Sequence, residues 1–286
     1  MPRYRVTLAY DGTDFAGSQA QPGQRTVQGE LELAIGKILG ERTRATFAGR
    51  TDRGVHATGQ VSAFDAPNWR WGARELMRSL NASLPRDLRV LEASETSDAF
   101  HPRFDAAWRE YRYWIAPRAV NPFLGRVAWL VRADVELPLM AVAAQHVVGT
   151  HDFASFAGGG EGVPWSDRVN RARGTTRTMV RCTCRESEVN IGPGAGADRV
   201  IEIVAMADGF LPRMVRNIVG ALLEVGQGRE SPDWITELLG HRDRRLGSVL
   251  APAQGLSLTA VVYGDDTRDD WRPVQPGRRG TDEGAV

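Results

Sequence analysis

At 286 residues, with 42% hydrophobic and 25% charged side chains, the chain has a globular balance and room for about two domains of ordinary size. No apolar run is long enough to span a bilayer, and Met1-Pro2-Arg3-Tyr4 enters a strand pattern without the apolar core of a signal peptide, so a cytoplasmic location is expected. A formal net charge of +1 announces no polyanionic partner, although of the 36 basic residues only Lys37 is a lysine.

Tyr4 to Ala9 alternates apolar and polar residues, as a half-buried strand does. Asp11-Gly12-Thr13 and Gln21-Pro22-Gly23 mark a loop. Thr26 is placed to cap a helix running to Leu39, with Val27, Leu31, Ala34, Ile35 and Ile38 on one face. Residues 43–65 then read as a hairpin-like stretch. Strand pieces at Thr46 to Ala48 and Gln60 to Phe64 flank a polar loop containing Gly49, Gly54 and Gly59. Arg50, Asp52, Arg53 and His56 sit in that loop. Gly72 to Leu84 reads as a helix with Leu76, Met77 and Leu80 inward, and Leu88 to Ala93 as a strand. Residues 1–100 thus run strand–helix–strand–strand–helix–strand.

Residues 98–108 cross to the second half, where Trp108 to Ile115 is aromatic and strand-like. Leu137 to Val148 reads as a helix begun by Pro138. The stretch 157–174 is rich in Gly, Pro and Arg and reads as a surface loop. Thr175 to Cys184 and Val200 to Ala205 alternate like paired strands around a turn at 192–196. Leu211 to Val225 is a strong helix pattern, with Leu211, Val215, Ile218, Val219 and Leu222 on one face and Arg213 and Asn217 off it. A shorter helix, Pro232 to Leu239, has Ser231 as its cap, and Leu256 to Val262 closes residues 101–263 as a strand. From 264 to 286, Asp, Arg, Pro and Gly dominate and a disordered tail is expected. The fold class is α+β: two split βαβ, ferredoxin-like halves with mainly antiparallel sheets, the second half with an added helix.

Chemistry-bearing groups are few. Cys182 and Cys184 lie two apart on a strand, so they share a face and cannot easily bond to each other. His101, His146, His151 and His241 are too scattered to suggest a metal site. Arg168, Arg171, Arg173, Arg177, Arg181 and Arg185 lie within 168–185 without an intervening acid, a local basic surface suited to a polyanion. The loop at 49–59 offers one carboxylate, Asp52, framed by glycines that let the backbone turn tightly or approach a ligand. From composition alone the same loop is also an ordinary turn.

Gly49-Arg50-Thr51-Asp52-Arg53-Gly54-Val55-His56-Ala57 resembles the active-site motif of the TruA family of tRNA pseudouridine synthases. Tyr10-Asp11-Gly12-Thr13-Asp14-Phe15-Ala16-Gly17 and Thr26-Val27-Gln28-Gly29-Glu30-Leu31-Glu32 are similar to that family's opening. Arg109-Glu110-Tyr111-Arg112-Tyr113 resembles its middle strand. Phe210-Leu211-Pro212-Arg213-Met214-Val215-Arg216-Asn217-Ile218-Val219-Gly220 and Ala251-Pro252-Ala253-Gln254-Gly255-Leu256-Ser257-Leu258 resemble its C-terminal part. The likeness spans roughly residues 4–263 in the family's order.

The resemblance implies isomerisation of uridines 38, 39 and 40 in the tRNA anticodon stem and loop. It implies a central RNA-binding cleft between the two halves and a homodimer with one tRNA spanning both subunits. The product is an isomer, so no cofactor or metal is called for. By match to the family motif, Asp52 is the catalytic carboxylate, as nucleophile or as base on the ribose. Arg216 matches the arginine beside it, where a guanidinium favours the ionised acid. Arg50 resembles the arginine that assists flipping of the target base, and Tyr111 the tyrosine that packs on it. Leu256 or Leu258 adds an apolar wall, and His56 is given no chemical role.

Three departures bear on substrate affinity. Ser18 stands where the family has tryptophan, with loss of a packing or RNA contact expected, Arg53 stands where a small residue is common, and 157–174 is long. Two rivals remain at this stage: a non-catalytic RNA-binding protein on the same fold, and a glycosidase-like hydrolase, which needs a second carboxylate that the sequence does not show.

Overall fold

The computed structural model describes residues 2–119, 121–158, 174–192 and 196–264. The expected loop at 157–174, turn at 192–196 and tail at 264–286 fall, apart from their margins, outside the described residues, as do Arg168, Arg171 and Arg173.

Alternation builds β1 (Arg3–Tyr10), which buries Tyr4, Val6, Leu8 and Tyr10 on one face. Thr26 caps α1 (Val27–Leu39), its side chain accepting from the Gly29 amide, and Val27, Leu31, Ala34 and Ile35 are buried beneath it. β2 (Thr46–Phe47) is shorter than its pattern, while β3 (His56–Asp65) begins four residues earlier than Gln60. α2 (Gly72–Ser83) buries Leu76 and Leu80, and β4 (Leu88–Thr96) follows.

β5 (Ala106–Pro117) leads into a 3₁₀ turn (Pro122–Arg126) and β6 (Trp129–Val131), neither of which has a period long enough to read from sequence. α3 (Leu137–Gln145) stops short of Val148, and β7 (Gly149–Asp152), β8 (Thr176–Val189) and β9 (Asp198–Ala207) complete one edge of the sheet. α4 (Met214–Gly226) begins three residues later than expected, because Arg213 takes a left-handed conformation (φ 61°) after Pro212. α5 (Trp234–His241) starts after a turn in which the Ser231 carbonyl accepts from the Trp234 amide, so Ser231 acts through its backbone rather than as the side-chain cap. β10 (Leu256–Tyr263) is the last strand.

The ten strands form one mainly antiparallel sheet in the order β4-β1-β3-β10-β5-β9-β8-β7, with β2 on β3 and β6 on β5. The chain's last described strand therefore sits in the middle. β10 lies antiparallel to β5 and parallel to β3, where Ser257 pairs with His56 and Leu258 with Ala57. Residues from all the helices share a single apolar core with the sheet, from Tyr4 and Leu8 through Tyr113 and Ile203 to Ile218 and Leu222. Asn217, expected off the apolar face, is instead buried there; its amide donates to the Phe156 carbonyl at 2.7 Å, and its oxygen accepts from Arg244 at 2.7 Å.

The other face of β5, β9 and β8 carries charge. Buried Glu110 accepts from Arg112 at 3.0 Å and also pairs with Arg181; Glu202 pairs with Arg112 at 3.3 Å and with Arg185. Of the basic stretch expected over 168–185, the described Arg181 and Arg185 are paired with acids, while Arg185 stays exposed. The acids arrive from β5 and β9, and Arg177 is buried with its guanidinium on the Gly174 and Thr176 carbonyls. Cys182 and Cys184 are both free thiols on the opposite face, and burial pushes Cys182 up to about 12. Among the described residues no helix is long and apolar enough to cross a membrane.

Candidate active site

The loop between β2 and β3 is held by the turn that follows β1. Thr51 is fixed at all three of its polar groups. Its amide donates to Ser18 Oγ at 2.8 Å, its carbonyl accepts from the Ser18 amide at 3.0 Å, and its hydroxyl meets the Tyr10 hydroxyl at 2.8 Å. Gln60 lies beneath and donates to the Gly49 carbonyl at 2.9 Å. Backbone contact is close enough to demand glycine: a Cβ on Gly12 would stand 2.0 Å from the Val55 carbonyl oxygen. Gly17, at φ +107°, would put a Cβ 2.9 Å from the Thr51 carbonyl oxygen.

Asp52 follows Thr51 and closes a tight turn, with its carbonyl accepting from the Val55 amide at 3.2 Å. Its side chain keeps 42% of its exposure, whereas the Arg216 side chain facing it keeps 13%. Arg216 Nη1 reaches Asp52 Oδ2 at 3.4 Å, across 164 positions of sequence. Arg216 is aimed by a second bond, Nε to the Ala251 carbonyl at 2.7 Å. Burial lowers the pKa of this guanidinium, and the facing Asp52 charge opposes that shift. The result is a carboxylate oriented by a half-buried cation but open on its other side.

Tyr111 comes up from β5 on the same face as Tyr113, with Glu110 and Arg112 turned to the opposite face by the two-residue period. Its ring stands edge-on to Phe210, with centroids 5.1 Å apart. Burial raises its pKa, and the negative charge of Asp52 raises it further, so it stays a phenol at any ordinary pH. Tyr10 is likewise pushed up to about 12 by burial.

The structure therefore brings Asp52, Arg216 and Tyr111 together. Arg50 is exposed on the rim of the same loop. Leu256 is buried in register with Tyr113, and Leu258 in register with Tyr111, both in the core beside the site. Arg53 is exposed and reaches Gln24 at 3.4 Å. Ser18 is only 1% exposed, and its hydroxyl oxygen accepts from the Thr51 amide.

Several supports had no functional signal of their own in the sequence. They are Tyr10, Thr51, Gln60, Phe210 and the turn at Ala251 to Gly255, whose Ala253 touches Gly54 and whose Pro252 carbonyl accepts from Tyr113 at 2.9 Å. Among the described residues no group of three or more His, Cys, Asp or Glu side chains is placed to hold a metal ion.

Comparison with known proteins bears on what this arrangement is for. The family model described as tRNA pseudouridine synthase matches residues 7–105 and 143–264. The chain belongs to the tRNA pseudouridine synthase family. It is 42% identical over 269 residues to the tRNA pseudouridine synthase A of Roseiflexus castenholzii, covering 93% of this chain and 92% of that one. It is 42% identical over 275 residues to the protein of the same name from Solidesulfovibrio magneticus, and 43% identical over 259 residues to that of Chloroflexus aurantiacus. The Solidesulfovibrio match covers 92% of both chains; the Chloroflexus match covers 90% of this chain and 87% of its relative. Members of this family are isomerases; beside one another this chain holds one partly exposed carboxylate, one half-buried cation and one aromatic ring.

Proposed function

We propose that this protein converts uridines 38, 39 and 40 of the tRNA anticodon stem and loop to pseudouridine. The supporting observation is the placement of Asp52. It is a partly exposed carboxylate on a loop tied at every polar atom of its neighbour, and it faces Arg216 at 3.4 Å beside Tyr111. The reaction cleaves the glycosidic bond, turns the uracil and rejoins it through carbon. Nothing is added or removed, so the residues must supply one nucleophile or base and must hold the base while it turns.

Asp52 carries the chemical step in this reading, either by attack on the ribose or by removing a proton from it. Arg216 holds the carboxylate's direction. The Tyr111 ring receives the flipped base, and stacking of this kind is worth about 1–3 kcal/mol per base. Arg50 helps to extrude the base from the stem, and Leu256 closes the apolar side of the pocket. We read residues 1–100 and 101–263 as the two ferredoxin-like halves flanking a central RNA cleft. The working unit is a cytoplasmic homodimer across which one tRNA lies.

The test is direct. Purified protein is incubated with an unmodified tRNA transcript and no added cofactor, and pseudouridine is mapped by position. Pseudouridine at 38, 39 or 40 is the expected product. Binding without isomerisation, or release of free uracil, rules the reading out.

A further inference from the structure

His56 ends the motif that carries Asp52, and its side chain is only 10% exposed. Its ring sits between two parts of the chain far apart in sequence. Nδ1 lies 3.0 Å from the Gly12 amide, which can only donate, so Nδ1 accepts and carries no proton. With Nδ1 accepting, Nε2 carries the ring proton; it lies 3.1 Å from the Arg126 carbonyl, which can only accept, and donates to it. We propose that His56 is a positioning residue, whose Nε2–H bond to Arg126 sets the Asp52 loop at the right place relative to Arg216.

The mechanical path is short. The Gly12 backbone rests against the Val55 carbonyl, and the Val55 amide closes the turn onto the Asp52 carbonyl. Fixing His56 therefore fixes Val55 and, through it, Asp52. His56 is also the residue at which β10 joins β3 in parallel, opposite Ser257. On the other side, Arg126 ends the 3₁₀ turn Pro122–Arg126, which packs against the Ala253–Gly255 turn just after Ala251, whose carbonyl holds Arg216.

Two charged groups face the ring. Asp11 Oδ1 is 3.3 Å from Nδ1, and the Arg126 guanidinium is held by Asp11 Oδ2 at 2.7 Å. That ion pair runs alongside the imidazole bridge but is largely open to solvent, with the Arg126 side chain 57% exposed. Exposed pairs of this kind hold little. The buried imidazole is the stronger of the two ties.

This inference rests on the proposed function only for its kinetic test. Gln can place an amide N–H near the position of Nε2, whereas Asn reproduces only the Nδ1 side. His56→Ala and His56→Asn are expected to lower kcat about tenfold or more, since small misplacements of a reacting group are costly. KM for tRNA should change less than about threefold, and His56→Gln should recover most of kcat. An unchanged kcat in His56→Ala, a loss confined to KM, or His56→Gln no better than His56→Asn overturns the proposal. If His56→Ala does not fold, the Gln and Asn variants decide it alone. Hydrogen exchange of amides 51–55 in the free proteins needs no substrate, and so separates failure of this inference from failure of the functional reading. Protection should persist in His56→Gln and fall in His56→Asn, and equal protection in the two overturns the proposal.

Discussion

At the scale of single residues, the site depends on what Asp52 and Arg216 do for each other. Replacing Asp52 by Asn keeps the shape of the side chain and removes its charge and basicity. Asp52→Asn is expected to abolish isomerisation, with tRNA affinity within about twofold of wild type, since the loop is held by Thr51 and not by the carboxylate. Measurable turnover by the purified variant would remove Asp52 from the chemistry. Arg216 bonds through two different nitrogens, Nε to Ala251 and Nη1 to Asp52. Lysine has one nitrogen and cannot make both bonds in that geometry. Arg216→Lys should lower kcat by about 10- to 100-fold with little change in tRNA Kd, consistent with loss of orientation rather than binding. A wild-type kcat in that variant would show that positive charge alone suffices.

At the scale of elements, charge pairs tie strands and loops together with unequal strength. Glu110 on β5 has no exposed side-chain surface and is shared by Arg112 and Arg181. Glu110→Ala leaves two cations facing a buried gap, and a loss of about 3 kcal/mol in urea unfolding is expected. Arg78→Ala on α2, where the pair with Glu75 is largely exposed, should cost no more than about 0.5 kcal/mol. Equal effects would mean that the sheet-face ladder is solvated after all. Arg25, in the loop before α1, forks onto Asp87 before β4 with both bonds at 2.8 Å. The Arg25 hydrogen bond, against the opposing cost of burial, lowers the Asp87 pKa below its ordinary value of 3.8. A carboxyl depressed in the folded state stabilises the fold above its unfolded pKa and loses that contribution as pH falls through the folded value. Thermal stability should therefore drop below about pH 4, and Asp87→Asn should flatten that part of the Tm profile. An acid limb that is the same in both proteins would place the titrating groups elsewhere.

At the scale of the whole molecule, the partner is a polyanion while the chain's net charge is only +1, so binding must rest on local arginines. Affinity for tRNA should fall linearly in a log–log plot against salt. Arg50, exposed beside Asp52, should contribute to that slope, and Arg50→Ala should reduce it by about one. Arg185, already neutralised by Glu202, should contribute nothing to it. If Arg185→Ala flattens the slope instead, the sheet face carries the RNA.

The sequence by itself determined where most elements lie and which carboxylate stands in the glycine-framed loop. Thr26 with its apolar stripe, the alternation in β1, and the Gly-framed loop around Asp52 are local patterns, and local geometry follows from local sequence. The family likeness extended this to Arg216 and Tyr111 without any knowledge of distance. What only the tertiary structure decided are the long-range pairings. Glu110 and Glu202 neutralise arginines on another strand, Ser18 and Tyr10 hold Thr51, and His56 meets Arg126. β10 comes back to the middle of the sheet and brings the Ala251 turn against Gly54. These contacts depend on strand order and register, which no period along the chain records, because side-chain alternation specifies a face and not a neighbour.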